Sequence, residues 1–412
     1  MGCRGRWSKT PTLPWYNRTV RAASFVNFDP QRVPSPCFVV DVAAVEHNLQ
    51  QLAAVAEASG ARVLAALKAF SLWQLGPLTA RYLSGTCASG VHEARLGREQ
   101  YGGECHVFSA AYSAADIEQL AAFADHIVLN SFSQWQRFRE TLLAAQQQRP
   151  QLQFGLRINP QHSEGAAAIY DPCAPCSRLG IPFEQFAGQS LQGISGLHFH
   201  TLCEQGFAPL QRTLAAVEAQ FGELLGQLSW VNFGGGHHIT QPDYDRAGLI
   251  AEIQRFSRQY GVQVYLEPGE AVAINSGVLV AEVLDLTHNG CDLAILDSSA
   301  TCHMPDTLEM PYRPDIYGAD SDSGEPSGDY PHSYRLGGMT CLAGDVIGDY
   351  AFAAPLQVGR RLMFDDMAHY TMVKTTTFNG INLPAIALWD SRSDQLQLVK
   401  QFGYADFKER LS

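Results

Sequence analysis

Between Arg62 and Gly269 the chain repeats one pattern eight times, a short apolar run followed by a longer connecting stretch. The runs are RVLAALK, TCAS, CHVFSA, HIVLN, QFGLRIN, GISGLHFH, SWVNFGG and VQVYLEPG. Among the connections, GVHEARLGREQYG, SAADIEQLAAFA, SFSQWQRFRETLLAAQQQ, LQRTLAAVEAQFGELLGQL and LIAEIQRFSRQYG have the texture of helices. Apolar strands alternating with helices build parallel sheets, and eight such units fit a (β/α)8 barrel with its working face at the C-terminal strand ends. The expected fold is therefore α/β, a TIM-like barrel over residues 61–276 followed by a mainly antiparallel β domain over 277–412.

The second domain is expected because the texture changes after Ser276: GVLVAEVLDLTHN, DLAILDSS, RRLMFDDM and PAIALWD are β-rich runs without long helices between them. A lead-in over 36–60 contains FVVD, expected to pair into that second domain, and then a helix. The acidic stretch YGADSDSGEPSGDYPHSY is poor in apolar residues and rich in Gly, Ser and Pro, so a mobile loop is expected there. Residues 1–35 carry no acid before Asp29 and no apolar signal core. They are expected to be a disordered N-terminal tail or the product of an upstream-shifted start codon.

With 412 residues, 46% of them hydrophobic, the chain can bury a core large enough for two domains. A formal net charge of -12 disfavours nucleic acid and anionic membrane surfaces and favours cationic ligands, a sign that polyamines match. No stretch reaches the roughly 20 apolar residues of a membrane helix. Ten cysteines without a secretory signal point to reduced thiols and a cytoplasmic location. Cys173 and Cys176 form CAPC, but no second pair stands at metal-ligand spacing, so a surface loop with two free thiols and no metal site is expected.

Polar residues gather where the barrel strands end. Lys68 closes the first run: it either snorkels along apolar surface or is desolvated, with a lowered pKa, as the Schiff-base partner of a carbonyl cofactor. His198 and His200 end the sixth run, and His200 is either a satisfied core histidine or a ring that stacks on a cofactor. Gly234, Gly235 and Gly236 follow the seventh, where a triple glycine makes a sharp turn or, ahead of a helix start, offers backbone N–H groups to a phosphate. Glu267 ends the eighth, as an ion-pair partner or as the carboxylate that keeps a pyridine nitrogen protonated. In the second domain Cys341 is a buried thiol or a proton donor on a glycine-flanked loop that also holds Asp345, and Tyr370 is a further candidate or a core tyrosine.

ALKAF, HFHT, FGGGHH, LEPGEA, GMTCLAGD and AHYTMVKTTTFNG, in this order, resemble the pyridoxal-phosphate decarboxylases of the alanine-racemase-like fold, which include ornithine and diaminopimelate decarboxylases. The resemblance runs from about Cys37 to the C-terminus. HFHTLCE, LEPGEAVA and SATCHMPDTLEMPYRP are most similar to the branch that decarboxylates carboxynorspermidine and carboxyspermidine, a reaction of polyamine biosynthesis. It implies pyridoxal 5'-phosphate as a Schiff base on Lys68, His200 stacked on its ring, Gly235, Gly236 and Tyr370 at its phosphate, and Glu267 at its pyridine nitrogen. It also implies a homodimer in which the partner's loop brings Cys341 to protonate the decarboxylated carbon and Asp345 to help bind the distal amine of a polyamine substrate.

Two features depart from the wider family. Glu270 stands where ornithine and diaminopimelate decarboxylases have arginine, and HTLCE replaces a run like HVGS or HIGS. The glutamate removes a cation from the phosphate and adds an anion suited to an amine-rich substrate, so Glu270 and Asp306 are expected as substrate carboxylates, against a solvated or capping role. The alternatives are decarboxylation of diaminopimelate, ornithine or arginine, or a noncatalytic regulator of decarboxylase shape.

Overall fold

The lead-in run forms β1 (Cys37–Asp41). The eight apolar runs that follow form β2 (Arg62–Ala66), β3 (Gly85–Ala88), β4 (Glu104–Phe108), β5 (His126–Leu129), β6 (Gln153–Arg157), β7 (Gly196–His198), β8 (Trp230–Asn232) and β9 (Gln263–Leu266). These come from a computed structural model that describes residues 23–165, 168–321 and 324–412. Strands β2 to β9 pair in chain order, all parallel, and β9 returns to β2 to close the barrel. The barrel belongs to a compact unit of residues 46–272, and residues 23–45 with 273–412 form a second one.

Long helices follow where the helical spacing placed them, over Val91–Gln100, Ala114–Phe123, Phe132–Gln148, Phe207–Leu225 and Arg246–Tyr260. Between β6 and β7 the described residues carry only short 3-10 turns, Ala168–Tyr170 and Phe183–Phe186. Pro160, Pro172, Pro175, Gly180 and Pro182 interrupt any helix there. Both CAPC thiols lie free in this segment, Cys173 half-buried and Cys176 exposed.

The barrel interior is packed solid. Leu64, Ala66, Cys87, Val128, Trp230 and Tyr265 form one buried cluster. The Trp230 indole fits because Gly155 and Gly196 face it: a Cβ at Gly196 would come within 2.0 Å of the ring and one at Gly155 within 2.3 Å. His126 stacks on Trp230 at 4.7 Å between centroids, and His106 stacks on His126 at 3.8 Å. Glu104, His106 and His126 bring donor atoms within 4.8 Å of one another. Stacked imidazoles direct their lone pairs side by side, and Glu104 is already paired with the Arg62 guanidinium, so this group reads as a packed layer.

The second unit is an eight-stranded sheet. Its later strands are β10 (Gly277–His288), β11 (Asp292–Leu296), β12 (His332–Gly337), β13 (Val346–Phe352), β14 (Arg361–Phe364), β15 (Ala385–Asp390) and β16 (Gln395–Lys400). The order is β13-β12-β11-β10-β1-β15-β16, with β14 also on β10. Only β1 with β15 and β11 with β12 run parallel, so the sheet is mainly antiparallel. Thus FVVD does pair into this unit, antiparallel to β10 and parallel to β15.

Two expectations need correction. The proposed tail ends sooner than residue 35: Phe25, Phe28 and Val33 are buried, and both phenylalanine rings pack on Trp389 at 5.2 and 5.0 Å. Three apolar anchors stabilise what its polar composition alone would leave loose, while the first 22 positions lie outside the described residues. The acidic stretch at 317–334 is not an untethered loop. Asp320 accepts from Arg313 (2.6 Å), Gly324 N–H (2.8 Å) and Ala351 N–H (2.7 Å), which ties the stretch to β13, and its last residues enter β12.

Candidate active site

Lys68 stands just past β2 on backbone fixed from both sides. Leu67 N–H donates to Cys87 O at 3.0 Å and Ala66 N–H to Pro268 O at 3.2 Å. The ammonium is not led out to water: burial pushes the Lys68 pKa below the usual lysine range, helped by Arg157 and opposed by Cys87 and Glu267. Its Nζ lies 3.4 Å from His200 Nε2. His200 Nδ1 accepts the Gly235 N–H at 2.9 Å, so a neutral ring carries its proton on Nε2. Burial, with Lys68 and Arg157 adding repulsion, holds the ring neutral by pushing its pKa far down. An Nε2–H facing Nζ at hydrogen-bond distance requires a lone pair there. Burial thus favours the uncharged amine at Lys68, the form that attacks a carbonyl.

Glu267, one residue past β9, supplies the opposite charge. Its Oε1 accepts from Asn232 Nδ2 at 2.7 Å, and its Oε2 lies 3.3 Å from His198 Nε2. Burial pushes this carboxyl up, but His198, His106 and the Asn232 hydrogen bond outweigh it, and the pKa falls to about 2. Asn232 Oδ1 in turn accepts the Gly234 N–H at 2.9 Å, which fixes the amide so that its nitrogen faces Glu267.

Arg157, at the end of β6, was not singled out from the sequence. Its Nη2 donates to His200 O at 3.0 Å and its guanidinium lies 4.5 Å from the Phe108 ring centroid. Burial lowers its pKa to about 10, which leaves it a cation. The signal was available: an arginine inside QFGLRIN is as anomalous as the lysine inside RVLAALK.

The glycine turn serves a different division of labour from the one expected. A Cβ at Gly235 would meet Glu267 O at 2.1 Å and one at Gly236, where φ is +83°, Leu202 O at 1.9 Å, so close backbone packing alone demands glycine. Gly234 and Gly235 donate to Asn232 and His200. The N–H groups of Gly236 and His237 are left without a partner among the described residues. No helix starts directly after the turn; the next begins at Arg246. Glu270 lies 3.0 Å from His238 Nε2, so its charge faces an imidazole just beyond the turn.

The remaining candidates belong to the sheet unit. Cys341 is exposed, and its N–H donates to Asn379 Oδ1 at 2.8 Å. Asp345 is buried and accepts from Ser299 Oγ (2.9 Å), Thr340 Oγ1 (2.6 Å), Thr301 N–H (3.2 Å) and Thr340 N–H (3.3 Å). That arrangement makes it the hub of the Cys341 loop, whereas a receptor for a substrate amine would keep its oxygens open. Asp306 pairs with the Lys374 ammonium, which also pairs with Glu309. Tyr370 follows β14 with φ 44°, on a turn whose carbonyl accepts from Lys374 N–H at 3.0 Å.

A buried lysine of lowered pKa, a buried carboxylate and an unpartnered pair of backbone N–H groups at one barrel mouth form a donor set that suits a pyridoxal-dependent enzyme. The model of the family "Pyridoxal-dependent decarboxylase, C-terminal sheet domain" matches residues 37–368, and the chain belongs to that family. It is 41% identical over 386 residues, 92% of this chain and 99% of the relative, to a carboxynorspermidine/carboxyspermidine decarboxylase of Campylobacter jejuni. It is 43% identical over 386 residues, 92% of this chain and 96% of the relative, to a carboxyaminopropylagmatine decarboxylase of Synechocystis. The crystal structure of carboxynorspermidine decarboxylase from Campylobacter jejuni in complex with norspermidine superposes with a TM-score of 0.84 at 40% identity, covering 92% of this chain and all of that one.

Proposed function

We propose that this protein decarboxylates carboxynorspermidine and carboxyspermidine with pyridoxal 5'-phosphate held at Lys68. The observation that carries the reading is the buried Lys68, its pKa lowered by burial and its Nζ 3.4 Å from His200, sharing a barrel mouth with the buried Glu267 carboxylate. The bound cofactor supplies an electron sink for the pair left behind by the departing CO2. The residues present fit it. Lys68 would hold its aldehyde, Glu267 its ring nitrogen, the Gly236 and His237 N–H groups its phosphate, and His200 its ring face. Glu270 supplies negative charge for a polyamine, which disfavours diaminopimelate with its second carboxylate.

The same reading includes a cytoplasmic homodimer in which Cys341 of the partner copy delivers the proton to the decarboxylated carbon and Tyr370 touches the phosphate. Met339 and Leu342 flank Cys341 and are each 46% exposed in the single chain, an apolar surface suited to a second copy. None of the described cysteines is in a disulfide. Among the described residues no helix is long and apolar enough to cross a membrane.

The test is product analysis with pyridoxal phosphate and each of carboxynorspermidine, carboxyspermidine, carboxyaminopropylagmatine, diaminopimelate, ornithine and arginine. Loss of CO2 from the two carboxylated triamines, abolished by Lys68→Ala, is expected. Preference for carboxyaminopropylagmatine would move the substrate to that of the Synechocystis relative, and consumption of diaminopimelate or ornithine would overturn the assignment. No turnover at all would favour a decarboxylase-like regulator.

A further inference from the structure

His198 is 2% exposed in the middle of the barrel mouth; neither ring nitrogen makes a hydrogen bond of full geometry, and Nε2 has only a 3.3 Å approach to Glu267 Oε2. A ring kept only for packing against Phe108, 5.4 Å away, would be better served by an apolar residue that buries no orphan nitrogen. The other nitrogen explains the choice. Nε2 lies 3.3 Å from Glu267 Oε2, on the opposite oxygen from the Asn232 amide at 2.7 Å. Asn232 and the soft Cys87 thiol alone hold the carboxylate weakly against turning about its last bond, whereas a ring N–H facing Oε2 restrains its plane further.

We propose that His198 is a positioning residue: as a neutral Nε2–H ring it holds the second oxygen of Glu267, so that the carboxylate is fixed toward the ring nitrogen of the cofactor. The proposal rests on the reading of Glu267 as the partner of that nitrogen. The charged and titratable groups that face Glu267 come from four other strands: Lys68 after β2, Cys87 on β3, His106 on β4 and Arg157 on β6. Lys68 and Arg157 do not bond Glu267 in the structure. Their bonded partners are His200 and its carbonyl, which leaves Asn232, the Cys87 thiol and His198 around its oxygens.

The experiment compares His198→Gln, which retains an N–H donor at similar reach, with His198→Leu, which does not. In the holoenzyme, Leu is expected to lower kcat about 10- to 100-fold with KM near its native value. The pH at which the visible absorption of the bound cofactor titrates should shift, and Gln should restore both. A Leu variant that titrates and turns over like the wild type, or a Gln variant no better than Leu, overturns the proposal. The wild-type protein gives a second reading that needs no folded variant: the 15N shifts of His198 should report a neutral ring protonated at Nε2, and protonation at Nδ1 overturns the proposal. If wild-type protein binds no pyridoxal phosphate in the first place, the cofactor reading has failed, and the 15N result still decides whether His198 donates to Glu267.

Discussion

Replacing Asp345 with alanine tests whether this buried carboxylate holds the Cys341 loop or waits for a substrate amine. Its two oxygens receive four donors: the hydroxyls of Ser299 and Thr340 and the N–H groups of Thr301 and Thr340. Hydrogen bonds to a charged group are each worth about 1.5–3 kcal/mol, and they do not add fully because water enters the gap and the loop relaxes. We therefore expect Asp345→Ala to cost about 3–5 kcal/mol, near the upper end for a single substitution. Asp345→Asn keeps one acceptor oxygen and should cost about half as much. Urea unfolding followed by fluorescence reads the loss as a lowered midpoint with the slope preserved. The reasoning is refuted if Asp345→Ala stays within about 1 kcal/mol of the wild type while KM for the triamine rises. That result would return Asp345 to the role of an amine receptor.

Acid should destabilise the barrel through the stacked pair His106 and His126. Burial lowers both pKa values in the folded state, His106 to about 4 and His126 further, so the unfolded chain binds these protons first. Their contribution is whole above the ordinary histidine value of 6.5 and is lost as the pH falls toward 4; melting curves across that range should show it, and His126→Phe should flatten the dependence. Gly196→Ala places a methyl group 2.0 Å from the Trp230 ring and should cost about 1–3 kcal/mol, a penalty largely relieved when Trp230 is also shortened to leucine. Equal penalties in the two backgrounds would show that the indole can move aside.

The barrel was legible because its strands are buried on both faces and so read as unbroken apolar runs. Lys68 stood out against that background. Arg157 was equally anomalous but lacked a neighbouring motif, and Asn232 looked like an ordinary polar residue until the fold set its amide against Glu267. His198 was noticed only as part of HFH; its use depends on an oxygen 69 residues away in the chain, which spacing does not encode. In the sheet unit, β16 escaped notice because QLQLVK is largely exposed, and β12 because its first residues close the acidic stretch. Gly235 shows the limit most sharply: a triple glycine announces a turn, but which N–H is left over depends on His200 and Asn232 arriving from other strands.

The pairing of Cys37 with Ala385 has a consequence for how the protein is made. Every strand of the barrel lies within one uninterrupted span of chain, so that unit can close while the rest is still on the ribosome. Strand β1 is synthesised before all of it, yet one of its two edges has no partner until β15 emerges. Throughout that interval CFVVD is a bare apolar edge, the kind of segment that other chains readily join. The earliest described strand therefore waits for one of the last to be made, and it is a segment in need of chaperone cover during translation.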